Sequence, residues 1–286
     1  MNPNKYSLTF ACYNSVAYTK LCIESMIQHG TPLDRLVVID NGSTDETRDY
    51  LSTLPLGGRI FNTQNLGCGV AWNQGALAQQ AEWTIIMNND VLVSPRWIEK
   101  LIGTAEQLQL KVISPALIEG PLDYDFDAFE THASQEMGQV HRIGGRHAVC
   151  LAIHQSVWLD VGYFQPVPKL LGYEDTLFFH ELEKSKIQTG MTGASWLHHY
   201  GSITQTAMKQ ERGLAQKDGL GYRYNYKLLN QSWLTRKLNK ISRKKQLSAW
   251  RDLEVSQHNM SIHGLRENGA FKFYRDFFWL LVRCFT

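Results

Sequence analysis

The sequence predicts an α/β protein with a mostly parallel central sheet flanked by helices and a C-terminal helical extension. Short apolar segments alternate with segments whose apolar residues have helical spacing over most of residues 1–114, and this alternation is typical of such sheets. Polar residues follow several of the apolar segments, for example at Asp40 and Asp90. Beyond residue 205 the chain becomes basic and rich in aromatic residues, which marks the extension.

The first half of the chain supplies the sheet. We predict strands over residues 6–11, 36–39, 59–62 and 83–87. We predict helices over 16–28, from a capping box at Ser43 and Glu46 through residue 51, over 71–80, and over 95–108 with entry through Ser94. These elements alternate strictly, as a parallel sheet with crossover helices requires.

The second half has a different pattern. Acidic residues stand among turn formers over residues 119–136 and predict an exposed excursion across the sheet. A strand over 139–153, helices over 156–161 and 173–186, a strand over 189–197 and helix beyond about 205 follow. We therefore divide the chain into an α/β domain (1–205), whose pattern changes after residue 114, and a tail (206–286).

Charge and cysteine usage exclude several classes of protein. Residues 1–205 carry 13 Lys and Arg against 21 Asp and Glu, a balance of −8, whereas residues 206–286 carry 16 against 6, a balance of +10. The acidic first part argues against a nucleic-acid groove, and the basic tail suits an anionic surface. Five scattered cysteines without a CxxC pair, and an opening without a signal-peptide core, favour a reducing cytoplasm.

The segment most suggestive of chemistry is residues 84–90 (TIIMNND), an apolar strand that stops at Asp90 between polar neighbours. Ligands of open α/β sheets bind beyond the carboxyl ends of the strands. Mg²⁺ and Mn²⁺ prefer oxygen ligands and commonly combine one or two carboxylates with substrate phosphates. Asp90 therefore predicts a metal site, although the same residues also suit an ordinary turn.

Six motifs follow one another along residues 6–205. They are a strand leading into Tyr13 and Asn14, VIDNGSTD at 38–45, NLGCGVAWNQG at 65–75, MNND at 87–90, GYED at 172–175 and HHYGS at 198–202. In this order they resemble the family 2 glycosyltransferases of the GT-A fold, whose central sheet is Rossmann-like. The resemblance implies inverting, metal-dependent transfer of a sugar from a UDP- or dTDP-sugar to a hydroxyl of an oligosaccharide or lipid-linked acceptor, in bacterial surface polysaccharide synthesis. It also implies that residues 1–205 are the catalytic domain, with a nucleotide-sugar-binding half at 1–114 and an acceptor-binding half at 115–205.

The resemblance also implies a metal centre for Mn²⁺ or Mg²⁺. Asp90 would hold the ion, and either His198 or His199 would complete its ligands; we favour His199 because it directly precedes the Tyr-Gly-Ser turn. Two histidines bonded to backbone at a strand end are the alternative. Asn88 stands where the family has a carboxylate, so we expect poor metal affinity without the donor.

Catalysis and donor binding involve further residues under this resemblance. Asp175 would be the general base, and Glu174 would orient the acceptor or Asp175; acids that favour a helix N-terminus are the alternative. Asp40 would accept the N–H of uracil or thymine, or would be only a turn residue beside Gly42. The predicted donor contacts are Ala11, Tyr13, Asn14, Asp40, Asn65, Gly67, Asn73, Asn88 and Asn89.

The tail combines basic and apolar residues over 233–251 at spacings close to one helical face, with a second aromatic segment over 271–285. This pattern predicts a helix on an anionic membrane, or else a tail that packs on the catalytic domain or on the second subunit of a homodimer. We expect a cytoplasmic protein, peripheral on the inner face of the cell membrane, that binds no nucleic acid. Two other functions stay open: a non-catalytic sugar- or membrane-binding module, and a glycoside hydrolase, which also uses two carboxylates.

Overall fold

The computed structural model describes residues 5–166, 174–201 and 229–273, and the single positions 203, 206, 208, 209 and 213. Within these residues the strands form one mixed sheet. The strands are β1 (Tyr6–Cys12), β2 (Leu36–Asp40), β3 (Gly58–Phe61), β4 (Trp83–Asn88), β5 (Val91–Val93), β6 (Val112–Glu119), β7 (His141–Ile143), β8 (Cys150–His154), β9 (Thr189–His199), β10 (His263–Glu267) and β11 (Ala270–Lys272). The helices are α1 (Val16–Gln28), α2 (Thr47–Ser52), α3 (Cys68–Ala78), α4 (Trp97–Gln107), α5 (Phe126–Met137), α6 (Gln155–Val161), α7 (Glu174–Lys184) and α8 (Trp233–His258).

The main path of the sheet has the strand order β11-β10-β6-β8-β4-β1-β2-β3, and β9 pairs with β5, β6 and β7. Strands β1 to β4 pair in parallel, whereas β8 runs antiparallel to both β4 and β6. The predicted parallel sheet is therefore confirmed for the first four strands. The sequence pattern did not predict that β8 pairs with its neighbours in antiparallel orientation.

The core lies on both faces of the first strands. Strands β1, β2 and β4 are buried on both sides; β2 and β4 are accordingly almost continuous apolar runs, whereas β1 also buries Ser7 and Thr9 between its apolar residues. One face packs against a cluster that includes Met26 and Trp97. The other face, which contains Ile86, packs against a cluster with Trp72 and Phe178. The sheet is thus held rigidly from both sides, so its strand ends are fixed positions for a site.

The exposed excursion predicted over residues 119–136 is wrong. Strand β6 continues to Glu119, and α5 buries Phe126 and Met137 against the sheet. The acidic residues that suggested exposure have structural contacts: Asp125 accepts from the N–H of Ala128 at the start of α5. In addition, the buried carboxylate of Glu130 in α5 lies 2.7 Å from the amine of Lys100 in α4.

Several predicted boundaries also change. The capping box at Ser43 and Glu46 is wrong, because α2 begins at Thr47 and its N–H donates to Asp45 instead. Helix α3 begins at Cys68, three residues earlier than predicted, directly after Gly67 with a φ of 89°. The strand predicted over 139–153 is two strands, β7 and β8, and β5 was not predicted.

The tail is not entirely helical as predicted, because β10 and β11 form a hairpin that extends the sheet through parallel pairing of β10 with β6. Glu254 near the end of α8 is buried and makes a bidentate bond with Arg142, with both distances 2.7 Å. The division at residue 205 stays a prediction, as do the helix directly after it, of which only single positions are described, and the segment beyond 273, which lies outside the described residues. Among the helices that the structure describes, none is long and apolar enough to cross a membrane.

Candidate active site

The predicted donor and metal residues converge on one edge of the sheet. Strand β1 lies between β2 and β4, and its last residues pair in register with theirs: Cys12 with Asp40, and Ala11 with both Ile39 and Asn88. Because the three strands are parallel, the loops that follow them leave the sheet at the same edge. Residues far apart in the sequence are therefore neighbours there.

Asp90 and His199 form the charged centre of this edge. Asp90 is 4% exposed, and its Oδ1 lies 3.3 Å from Nε2 of His199. The antiparallel pairing of β5 with β9 places them together, since Val91 pairs with His199 and the N–H of Tyr200 donates to the carbonyl of Asp90. Asn88 Nδ2 is 3.4 Å from the same imidazole nitrogen.

The charge of His199 is controlled by its neighbours. Burial alone would lower the pKa of His199, but the carboxylates of Asp90 and Glu119 outweigh burial and raise the pKa to about 9. Without a bound cation, the imidazole is therefore protonated at neutral pH. A metal ligand must be neutral imidazole, so binding of a cation at this nitrogen would release a proton.

The structure separates the two candidate histidines. Successive residues of a strand point to opposite faces, and His198 accordingly lies among aromatic rings, with Nδ1 2.9 Å from the hydroxyl of Tyr124. Burial lowers the pKa of His198 to about 4. His198 does not join Asp90 in this structure, which corrects its assignment as an alternative ligand and leaves His199 as the candidate.

The loops after β1 and β2 are bound to each other. Asn14 and Ser15 both have left-handed backbone, with φ of 52° and 59°. Asn14 Oδ1 accepts from the N–H of Thr44, and the N–H of Asn14 donates to Ser43 Oγ. Asp45 also accepts from the N–H of Val16, at the start of α1. Tyr13, half-buried beside these contacts, follows β1 directly.

Asp40 is fully buried and already has partners for both carboxylate oxygens. Oδ1 accepts from the N–H of Ser43, and Oδ2 lies 2.5 Å from Nε of Arg48. Arg48 also donates to the carbonyl of Asn62. These contacts give Asp40 a structural role at the end of β2, whereas its contact with a nucleobase stays a prediction.

Asn41, which the sequence analysis did not single out, connects the β2 loop to the loop before α3. Its Nδ2 donates to Asn65 Oδ1, and its Oδ1 accepts from the N–H of Leu66. Asn65 in turn accepts from the N–H of Gly67. A Cβ on Gly42 would lie 2.8 Å from the backbone of Gln64, so the close approach of these loops requires glycine.

The start of α3 contacts the start of α7. A Cβ added to Gly69 would lie 3.2 Å from Cβ of Glu174, so the absence of a side chain there permits the contact. Asn73, a predicted donor residue, binds the backbone of Phe164 twice, through Nδ2 to the carbonyl and Oδ1 to the N–H. Asn89 likewise donates to Thr19 of α1. Both carboxamides hold elements together in this structure, and their donor contacts stay predictions.

The two acids of α7 have altered protonation. Burial raises the pKa of Glu174 to about 7 and raises the pKa of Asp175, although the N–H of Thr176 donates to Asp175. Cys68, the first residue of α3, is exposed to solvent. Glu174, at the start of α7, lies against Gly69 at the start of α3.

The donor set at Asp90 fits a divalent cation only in part. A carboxylate oxygen, an imidazole nitrogen and an adjacent carboxamide are suitable ligands for Mn²⁺ or Mg²⁺. The part of the chain that the structure describes contains no group of three or more His, Cys, Asp or Glu residues able to hold an ion. A cation here would need oxygen ligands from a bound diphosphate as well.

Sequence comparison gives one family and several relatives. Residues 7–150 match the sequence model of "Glycosyl transferase family 2". EpsH of Bacillus subtilis (strain 168), a glycosyltransferase by name, is 24% identical over 102 residues, which is 35% of this chain and 30% of EpsH. The uncharacterized glycosyltransferase RT0329 of Rickettsia typhi is 29% identical over 117 residues, 39% of this chain and 36% of that protein. The matched segment thus spans about a third of these relatives.

Solved structures resemble the chain over a larger part of its length. GalNAc-T7 with UDP, GalNAc and Mn²⁺ aligns with a TM-score of 0.54 at 15% identity, covering 69% of this chain and 44% of that one. TarS of S. aureus with UDP-GlcNAc aligns with a TM-score of 0.50 at 16% identity, and the alignment covers 68% of this chain and 58% of TarS. The mannosyltransferase PcManGT from Pyrobaculum calidifontis, with GDP-Man and Mn²⁺, aligns with a TM-score of 0.50 at 16% identity. The alignment covers 73% of this chain and 60% of PcManGT. At this identity, the likeness establishes the shared fold.

Proposed function

Because the chain belongs to the family 2 glycosyltransferases and has their GT-A fold, we propose that it is an inverting, metal-dependent glycosyltransferase of bacterial surface polysaccharide synthesis. The donor is a UDP- or dTDP-sugar, and the acceptor is a hydroxyl of an oligosaccharide or lipid-linked glycan. One observation carries the proposal: Asp90 and His199 meet at 3.3 Å at the edge of the sheet where the parallel strands β1, β2 and β4 end.

The metal is Mn²⁺ or Mg²⁺, held by Asp90 and His199 with Asn88 beside them. When bound, it supplies Lewis-acid stabilisation of the charge that accumulates on the diphosphate as the sugar departs. Two structures of similar fold contain Mn²⁺ together with a nucleotide or nucleotide sugar. With few protein ligands at this centre, the cation and the diphosphate bind together.

The donor lies along the ends of β1, β2 and β4. The Gly67–Gly69 turn opens α3, and the N–H groups and dipole at a helix N-terminus favour the negative charge of a diphosphate. The base lies toward the end of β2, where Asp40 would accept an N–H of uracil or thymine. The neighbours of similar fold contain either UDP or GDP derivatives, so the nucleotide has to be measured.

Asp175 is the general base. Its carboxylate takes the proton of the acceptor hydroxyl while that oxygen forms a bond to the anomeric carbon, and the bond from that carbon to the diphosphate oxygen breaks with its electron pair. Attack from the face opposite the leaving group inverts the anomeric centre. Burial supports this role, because the raised pKa of Asp175 makes it a stronger base. Glu174 orients the acceptor or Asp175.

The acceptor is presented at a membrane surface. The first half of α8 exposes Trp233 (66%) and Leu238 (57%), and residues 233–251 carry seven Lys and Arg and no Asp or Glu. An apolar row with flanking cations suits the headgroup region of an anionic bilayer. Flotation with vesicles of phosphatidylglycerol tests this; Leu238→Glu should abolish binding, whereas Leu159→Glu, at an exposed leucine of α6, should leave it unchanged.

A thermal-shift screen of nucleotide sugars with and without Mn²⁺ tests the proposed function. A ligand that binds the folded state at 100 times its Kd stabilises it by about 2.7 kcal/mol, so the correct donor should raise the Tm clearly and only with the metal. The same mixtures with acceptor should release nucleoside diphosphate. If no nucleotide sugar raises the Tm, with or without Mn²⁺, the proposed function is wrong.

A further inference from the structure

Glu119 lies on the opposite side of His199 from Asp90. It is the last residue of β6 and pairs in register with His199 of β9. Glu119 Oε1 is 3.8 Å from Nδ1 of His199, whereas Nε2 of the same ring is the nitrogen that faces Asp90. The imidazole thus lies between two carboxylates, one for each of its nitrogens.

A second histidine approaches the same carboxylate oxygen from the other side. His263 belongs to β10, which pairs in parallel with β6, and its Nε2 is 3.7 Å from Glu119 Oε1. Within the described residues, neither His263 Nε2 nor His199 Nδ1 has a hydrogen-bond partner, and both atoms are buried. Both nitrogens are therefore available to Glu119, at the distance of an ion pair.

The geometry has a consequence for a metal bound at Asp90. A ligating histidine usually donates its other N–H to a carboxylate, which fixes the tautomer and the ring orientation. We propose that Glu119 is a positioning residue that directs Nε2 of His199 toward the cation, and that His263 holds Glu119 in place. This inference rests on the proposed metal dependence, and it assigns a role in the site to β10, which lies outside the residues 7–150 that match the family.

The test compares cation binding in the wild type and in Glu119→Gln, with UDP or dTDP present, by titration calorimetry with Mn²⁺ and with Mg²⁺. Glu119→Gln should weaken Mn²⁺ binding about 10- to 100-fold, as loss of such a partner typically does. Imidazole favours Mn²⁺ over Mg²⁺, so the preference for Mn²⁺ should also fall. A general loss of structure would weaken both cations equally.

The matched control is Glu130→Gln, which removes another buried carboxylate with a cationic partner, Lys100, between α4 and α5. It should leave both affinities unchanged. If Glu119→Gln fails to fold, His263→Gln, at a residue that is 34% exposed in its side chain, carries the test and should weaken Mn²⁺ binding in the same direction by a smaller factor.

The outcomes separate the two proposals. A wild type that binds no Mn²⁺ with either nucleotide overturns the proposed metal dependence and this inference together. A wild type that binds Mn²⁺, with unchanged affinity and unchanged metal preference in folded Glu119→Gln, overturns the positioning role alone. If Glu119→Gln does not fold and His263→Gln is used instead, unchanged Mn²⁺ binding in His263→Gln likewise overturns the positioning role alone.

Discussion

The two sides of the strand edge differ in how their polar groups are satisfied. On the nucleotide side, Asp40, Asn41 and Asn65 all have hydrogen-bond partners in the neighbouring loops. On the catalytic side, His199 Nδ1 has no such partner among the described residues, and burial raises the pKa of both Glu174 and Asp175. One side is a network of satisfied hydrogen bonds and ion pairs, and the other contains buried titratable groups whose pKa is altered.

This difference separates stability from chemistry. Satisfied buried polar groups make a region rigid, and removal of one partner is costly. Groups whose pKa is altered by burial are destabilising or neutral for the fold, and they occur frequently at functional sites. We therefore expect variants on the nucleotide side to lose stability, and variants on the catalytic side to lose activity while they keep or gain stability.

The largest effect should come from Asp175→Asn. Loss of a general base typically lowers the rate by about 10²- to 10⁴-fold, so transfer should nearly stop while binding of the donor, measured by calorimetry, stays at the wild-type level. Glu181→Gln removes a solvent-exposed carboxylate from the same helix and should retain full activity. Normal turnover by Asp175→Asn would remove Asp175 as the base.

Arg48→Ala should give the largest loss of stability. It leaves the fully buried carboxylate of Asp40 without its cation; because Arg48 is partly exposed, we expect about 2–3 kcal/mol, below the cost of breaking a fully buried pair. Urea unfolding measures this loss. Arg59→Ala, at an exposed arginine of β3, should change stability by less than about 0.5 kcal/mol, and an equal loss in both variants would contradict the comparison.

Glu174→Gln should stabilise the protein above neutral pH. The pKa of Glu174 is about 7 in the fold against 4.5 ordinarily, so the folded state holds its proton more tightly and stability falls as pH rises from about 4.5 to 7. The variant escapes this loss and should be more stable at pH 8 by about 3 kcal/mol, since each pKa unit corresponds to about 1.4 kcal/mol of stability. At pH 4.5 the two proteins should have nearly equal stability, and parallel pH profiles would contradict the assignment.

The smallest expected effect on stability concerns Asn14, in the loop after β1. Asn14 has a φ of 52°, and the left-handed region costs residues other than Gly, Asn and Asp about 1–2 kcal/mol. Asn14→Gly and Asn14→Ala both lose the contact with Thr44, but the glycine variant should be more stable by about 1 kcal/mol. If the alanine variant has the same Tm, or a higher one, the backbone is not constrained there.

The sequence predicted the elements whose signal is local. Strands β1, β2 and β4 are short, largely apolar segments followed by polar residues, so their positions could be predicted from the local sequence. The motif at residues 87–90 likewise indicated Asp90 as a candidate metal ligand. Acidic residues misled the prediction around α5, because Asp125 and Glu130 have partners that no local pattern shows.

Contacts between distant segments could not be predicted in this way. The choice between His198 and His199 depends on which face of β9 each occupies, and that depends on the pairing of β9 with β5 and β6. Glu119 and His263 are 144 residues apart and meet only because β10 pairs with β6. A predicted all-helical tail excluded that pairing, so the role of β10 was not foreseen.

Calorimetric titration of UDP and dTDP into the wild type and Asp90→Asn, each with and without Mn²⁺, tests the central claim most directly. The claim is that buried charge at Asp90 and His199 binds a cation together with a diphosphate. We predict that one of the nucleotides binds the wild type strongly only when Mn²⁺ is present, and that Asp90→Asn loses this dependence. Equal affinity with and without Mn²⁺ in the wild type, unchanged in Asp90→Asn, would contradict it.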